Sequence, residues 1–476
     1  MKVLFVASEA NPFAASGGLG DVMGALPAAL RERSGGACEA DVILPLYGSM
    51  KEEYRRRMTK VADISFRLSW RNTGASVFRI DAGAVGYYFI ENHYYFDRGA
   101  LYGEKDDGER FAFFSMAVLE FMKQTGYTPD ILHANDWQSA LTVIYLKTLY
   151  ASDPVLSSVR TVYTIHNIEY QGKFDPFALG DIFALDTKYE SIVRFDGCIN
   201  LMKGALTVSD YISTVSPSYA AELTTDFFAF GLSSVIRDVS HKMRGIINGI
   251  DYETFGPENG RDIVAAFDAS SVKEGKGANK RALQAELGLA VNADIPMVVM
   301  ITRLATAKGI DLVLCILEEL LCEPLQFVLL GTGEAEYEAA FRAMEAKHPN
   351  FRALIKFDRA TSKRMYASAD LFLMPSRSEP CGLAQMIACS YGTVPIVRSV
   401  GGLKDSIVPY GTEGSCGFRF DNYNAHELLF TVKDALAVYR DEQAWDALVA
   451  RAKAQDFTWS ASAGEYLRMY RELLHR

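Results

Sequence analysis

The sequence predicts an α/β protein of two doubly wound, Rossmann-like domains. Its 476 residues, 49% hydrophobic and 23% charged, suffice to bury two cores. Short β-rich apolar runs alternate with helix-compatible stretches, the pattern of parallel βαβ units. That alternation starts afresh after about residue 250, as a second domain requires.

In the first half the strands are expected at Val3–Ala7, Val42–Leu46, Ile131–His133 and Val162–Ile165. Between them, Ser65–Trp70, Val77–Asp81 and Tyr87–Ile90 are β-type stretches separated by Gly-containing turns, and are expected as strands of the same domain. Asn248–Asn259, rich in Gly, Pro and Asn, suits a linker. In the second half Met297–Ile301, Phe327–Leu330, Leu371–Met374 and Val394–Val397 each precede a helical pattern. The expected boundaries are 1–247 with a returning helix at 459–476, and 248–458.

Composition excludes several classes of function. The net charge of −10, with no extended Lys/Arg-rich run against it, disfavours nucleic acid or an anionic membrane as partner. The apolar run at Val3–Ala7 is short for a signal-peptide core and Glu9 interrupts it, so a cytoplasmic protein is expected. No apolar stretch reaches the roughly 18 residues of a membrane span. The seven cysteines form no Cys-x-x-Cys pair and are expected as reduced, mostly buried thiols.

The chemistry gathers where strands end. The first strand runs into Ala15-Ser16-Gly17-Gly18-Leu19-Gly20-Asp21 and a helix, where backbone N–H groups and a helix N-terminus can face an anion. Gly18-x-Gly20-x-x-x-Gly24 alone is a weak dinucleotide fingerprint, and the second strand ends in Leu46-Tyr47 without a ribose-binding acid. A tight turn without a ligand is the plainer alternative. Arg303 and Lys308 follow a second-domain strand and precede a helix over Ile310–Leu321, where cations oppose the macrodipole unless an anion is bound. Gly331 and Gly333 end another strand and leave room for a base or ribose. Pro375 to Leu383 ends a third, placing Glu379 beside helix-start N–H groups, where it could hold sugar hydroxyls. Glu379 could equally be an acid favoured by the dipole, and Cys381 would be a nucleophile only with a base partner.

Taken together, these blocks resemble the bacterial glycogen synthase and plant starch synthase family. The resemblance runs in order through Lys2–Glu9, Gly17–Asp21, Tyr95–Arg98, His133–Trp137 and Thr164–Gly172. It continues through Asn248–Asp251, Arg303 with Lys308-Gly309, Ser376–Leu383 and Gly401–Asp405. It implies two facing domains with a cleft between them, the GT-B architecture. It also implies a retaining transfer of glucose from a nucleotide sugar, most readily ADP-glucose, to the non-reducing end of an α-1,4-glucan. No metal or other cofactor is implied, and the chain has no Asp-x-Asp motif.

By the same resemblance, Arg303 and Lys308 hold the donor diphosphate, Glu379 the donor sugar, and His166 lies by the reacting carbon. Ser16, Gly17, Gly18, Asn248, Gly331, Gly333, Cys381, Gly382, Leu383, Gly401 and Gly402 fall on the donor side. Glu9, Tyr95 and Asp136 fall on the acceptor side, where Tyr95 could stack on a sugar or be a core tyrosine. This chain departs from the family at Ala15, where the family has lysine, at Val400, where it has threonine, and at Ala229 in place of a glycine. Alternatives remain a UDP-glucose or other donor, an epimerase, or a weakly catalytic glucan-binding paralogue. Oligomeric state is not legible.

Overall fold

The apolar runs become strands because each is β-branched or aromatic and is buried on both faces, the condition of a parallel sheet covered by helices. The structure, a computed structural model, describes residues 1–475. It divides into a first unit, Met1–Ile246 with the segment from Trp459 onward, and a second, Ile247–Thr458.

In the first unit β1 (Lys2–Val6), β2 (Glu39–Pro45), β3 (Thr59–Leu68), β4 (Arg71–Ala82), β5 (Val85–Glu91), β6 (Ile131–Asn135) and β7 (Arg160–Ile165) enter one sheet. A small antiparallel sheet follows, of β8 (Lys173–Phe174), β9 (Arg194–Phe195) and β10 (Cys198–Asn200). β11 (Tyr211–Thr214) and β12 (Met243–Gly245) complete the large sheet, in the order β12-β11-β7-β6-β1-β2-β5-β4-β3. Only β4 runs against the rest. Trp70, expected at the end of a strand, instead sits in the β3–β4 turn behind Ser69 at φ +54°.

The second unit has β13 (Met297–Ile301), β14 (Gln326–Leu330), β15 (Phe351–Leu354), β16 (Leu371–Met374), β17 (Val394–Arg398) and β18 (Phe418–Phe420). They form a wholly parallel sheet in the order β15-β14-β13-β16-β17-β18. The expected linker is not irregular: Tyr252–Phe255 and Pro257–Asn259 are short helical turns of this unit.

Both sheets reverse their strand order, β1 lying between β6 and β2, and β13 between β14 and β16. At such a switch point the loops leaving neighbouring strands diverge and open a crevice at the carboxyl edge. The helix Trp459–Leu474 returns to the first unit, packs on Gly18–Arg33 and bonds its Tyr470 hydroxyl to His133 Nδ1 at 2.7 Å. Among the described residues no helix is long and apolar enough to cross a membrane. All seven cysteines are free, with Cys315 and Cys322 exposed.

Candidate active site

The two switch points hold the residues singled out by their chemistry. In the first unit the loop after β1 carries Glu9 and the glycine turn, and the neighbouring β6 ends at Asp136. Glu9 is buried. Its Oε2 accepts the backbone N–H groups of Ser16 at 2.6 Å and Gly17 at 3.0 Å, while Oε1 takes the Ser16 hydroxyl at 2.8 Å and the Tyr102 hydroxyl at 2.7 Å.

This corrects two expectations. Ser16 does not present its donors to a ligand, because Glu9 already holds them, and Glu9 braces the turn from below. The exposed groups are Gly17 and Gly18, at the start of the Gly18–Arg33 helix. Neither has a positive φ, and a Cβ on either would meet no other described atom within 4 Å. Internal packing therefore gives no reason for glycine at these two positions.

Asp136 leaves β6 at φ +56°, a left-handed conformation costly for a residue with a Cβ. Its Oδ1 accepts the backbone N–H of His166, which follows β7, at 2.8 Å. Burial pushes the Asp136 carboxyl up to about 7, helped by the nearby Glu9 and opposed by the N–H groups of His166 and Asn167. Burial pulls the His166 imidazole down to about 4, so it is neutral at pH 7. Its Nε2 lies 3.0 Å from Asn135 Oδ1. Asn135 Nδ2 donates to the carbonyls of Val6 and His133, which turns Oδ1 toward the imidazole. The network thus assigns the proton to Nε2 and leaves Nδ1 as an acceptor.

Tyr95 is only 5% exposed. Its ring packs 4.5 Å from that of Phe113, and its hydroxyl donates to Glu109 at 2.7 Å. Of the two readings open in the sequence, the core tyrosine fits and the stacking face does not.

In the second unit the loops after β13 and β16 meet. Arg303 is exposed and, among the described residues, its guanidinium has no hydrogen bond or ion pair. Lys308 Nζ lies 2.6 Å from Glu379 Oε2, which also takes the Ser376 hydroxyl at 3.1 Å. Glu379 is no helix-start acid: the next helix spans Ala384–Ser390, and the carboxylate answers Lys308 instead. Gly309 holds this geometry, since it turns at φ +74° and a Cβ there would lie 2.2 Å from the Pro375 carbonyl oxygen.

The remaining glycines of this unit have internal reasons. A Cβ on Gly331 or Gly333 would lie 1.8 Å from Thr302 O or 2.1 Å from Leu304 O, so they let the Arg303 loop pass. Gly401 and Gly402 press against Glu379 O and Cys381 O, at 2.0 and 2.1 Å from such a Cβ. Gly382 turns at φ +72° before Leu383, and Gln385 Nε2 ties that turn to Ser406 beyond Gly402. Gln385 escaped the sequence reading. Burial pushes the Cys381 thiol up to about 12, so it is no nucleophile. The Asn248 backbone N–H bonds to that sulfur, while its own Oδ1 is buried without a partner among the described residues.

A second residue escaped notice. Phe357, 83% exposed, stands in the loop leaving β15, beside β14 and its Gly331–Glu334 loop. A lone aromatic in a polar loop has no periodicity to betray it. Among the described residues no group of three or more His, Cys, Asp or Glu side chains is placed to hold a metal.

This arrangement matches known proteins along the whole chain. Residues 2–238 match the family described as starch synthase catalytic domain, and residues 288–448 match glycosyl transferases group 1. A glycogen synthase of Clostridium botulinum (strain Eklund 17B / Type B) is 44% identical, with all of both chains covered. One from Geobacillus thermodenitrificans is 43% identical over all of this chain and 98% of its own. The catalytic domain of starch synthase IV from Arabidopsis thaliana, bound to ADP and acarbose, superposes with a TM-score of 0.89 at 34% identity, covering 100% of this chain and 99% of that one. Sucrose-phosphate synthase from Thermosynechococcus elongatus, at 19% identity and a TM-score of 0.60 over 100% and 99% of the two chains, shares the fold alone. The chain belongs to the glycogen/starch synthase family of GT-B glucosyltransferases.

Proposed function

We propose that this protein transfers glucose from ADP-glucose to the non-reducing end of an α-1,4-glucan, with retention at the anomeric carbon and without a metal, in the cytoplasm. In this reading the second unit binds the donor and the first serves the acceptor. The observation that carries it is the cation pair at the second switch point, Arg303 without an internal partner beside a Lys308 already fixed by Glu379.

As the bond from C1 to the diphosphate breaks, negative charge grows on the leaving oxygen. Two cations held in place stabilise that charge without reorganising. Lys308 is pre-oriented by the carboxylate it touches, and Glu379 keeps acceptor capacity for sugar hydroxyls. Arg303 is free to fork onto phosphate oxygens. Phe357 suits stacking on the base, and the bare backbone at Gly17 and Gly18 suits close approach of an anion to a helix N-terminus. His166, neutral with Nδ1 unprotonated, accepts a hydrogen bond from a sugar hydroxyl. The ADP and acarbose bound by the starch synthase IV relative support the choice of an adenine nucleotide and a glucan-like ligand.

The test is incorporation of labelled glucose into glycogen with ADP-glucose and UDP-glucose offered separately, with and without EDTA. Incorporation from ADP-glucose that survives EDTA is expected. Incorporation from UDP-glucose alone, or a requirement for magnesium, would overturn the corresponding part.

A further inference from the structure

Trp70 stands 64% exposed at the tip of the β3–β4 hairpin. Single exposed apolar side chains are ordinary. This one is held. Its indole N–H donates to Asp181 Oδ1 at 2.5 Å, which ties the hairpin tip to the loop leaving β7. The Arg71 guanidinium covers the ring at 4.4 Å from its centroid. Arg71 is itself fixed, donating to the Asp181 carbonyl at 2.7 Å and lying 3.2 Å from the Glu109 carboxylate. One turn before Asp181, on the same short helix, comes Phe177, 92% exposed.

The hairpin tip also has a definite place. β5 ends at Glu91, opposite Ser76, whereas β4 begins at Arg71, so the tip overhangs the carboxyl edge of the sheet. That is the edge from which Asp136 and His166 emerge. A fixed ring whose polar edge is already satisfied loses little freedom when a ligand stacks on it. A pyranose ring offers an apolar C–H face to such a ring and hydroxyls to the charged groups around it, here Asp181, Arg71 and Glu109.

We propose that Trp70 and Phe177 form a second carbohydrate site that grips α-glucan away from the point of transfer. The inference rests on the reading of the acceptor as an α-glucan. A polymer held at two places stays near the enzyme between transfers, because the second contact is made at high effective concentration.

Electrophoresis through gels containing glycogen, and initial rates with glycogen and with maltotriose, test the wild type, Trp70→Ala and Phe177→Ala. The variants are expected to lose retardation and to raise KM for glycogen about tenfold, the scale of one anchoring aromatic, with the maltotriose rate unchanged. Trp70 is the one exposed tryptophan among the described residues, so maltoheptaose should also blue-shift wild-type fluorescence and leave Trp70→Phe unshifted. Unaltered retardation and glycogen KM in both variants overturn the site while glucose transfer stands. Equal losses on maltotriose and glycogen overturn it too, by placing these residues at the point of transfer. If the wild type transfers glucose to neither acceptor yet is retarded through Trp70, the second site stands and the synthase reading fails.

Discussion

Two glycine pairs follow strands and lead into helices in this protein, and they are glycine for opposite reasons. A Cβ on Gly401 or Gly402 would strike backbone carbonyl oxygens at 2.0 and 2.1 Å, whereas one on Gly17 or Gly18 would touch nothing within 4 Å. The first pair is required by its own fold, because the Glu379–Cys381 segment lies against it. The second pair has no such requirement, and a visiting ligand supplies one. Two motifs alike as letters thus separate once each is asked what a single added carbon would meet.

Substitutions sharpen that contrast. Gly402→Ala should be the most damaging, since backbone on both sides must move. We expect a loss of at least about 3 kcal/mol of stability, seen as a lower melting temperature together with lost activity. A normally stable Gly402→Ala protein would erase the distinction between the pairs.

Arg303→Ala should lower turnover by about 10²–10³-fold, the scale for one preorganised charge stabiliser, with the melting temperature unchanged because the side chain has no internal partner. Lys308→Ala should lower both, since it leaves the Glu379 carboxylate buried beside Ser376 without its cation. Matching melting temperatures for the two variants would show that the Lys308–Glu379 pair contributes nothing to the fold.

Gly18→Ala opens a helix with a better helix former and should leave stability intact or slightly raised, while raising KM for the donor about tenfold. The converse change is Ala15→Lys, which restores the family's cation beside that turn. A charge-assisted bond to phosphate, less the cost of ordering the side chain, should tighten ADP about tenfold in calorimetric titration. Unchanged or weaker binding would mean that the Ala15 contact with Gly20, whose Cβ would lie 2.5 Å away, directs the side chain elsewhere.

The smallest effect concerns Asp136. Its folded pKa is raised to about 7 from 3.8, so the folded state binds the proton more tightly and stability falls as pH climbs through that interval. Asp136→Asn mimics the protonated carboxyl and still accepts the His166 N–H. Its stability advantage over wild type should therefore grow from pH 4 to about pH 7 and level off above. An advantage independent of pH would contradict the raised pKa.

What the sequence disclosed follows the same division between local and distant causes. Met297–Ile301 and Leu371–Met374 were legible to the residue because a strand buried on both faces is an unbroken apolar run. β12, β15 and β18 were not, being short edge or near-edge strands whose half-buried residues make no such run. Arg303, Lys308 and Glu379 could be named from their strand ends, but not the pairing of Lys308 with Glu379 across 71 positions. Glu9 was named without its grip on Ser16. The burial of Tyr95 depends on Phe113 and Glu109, one helix away, and no pattern around Tyr95 announces them.

The return of the last helix to the first unit has a consequence for biosynthesis. His133, in the middle of the first sheet, finds its Nδ1 partner in Tyr470, six places from the end of the chain. On the ribosome, then, the second unit is complete in sequence while the first still lacks the helix that packs on Gly18–Arg33. Domains ordinarily mature from the N-terminus as they emerge. Here the earliest residues made are the last to be finished, and a nascent chain stalled before Tyr470 would carry a finished second unit behind an open first one.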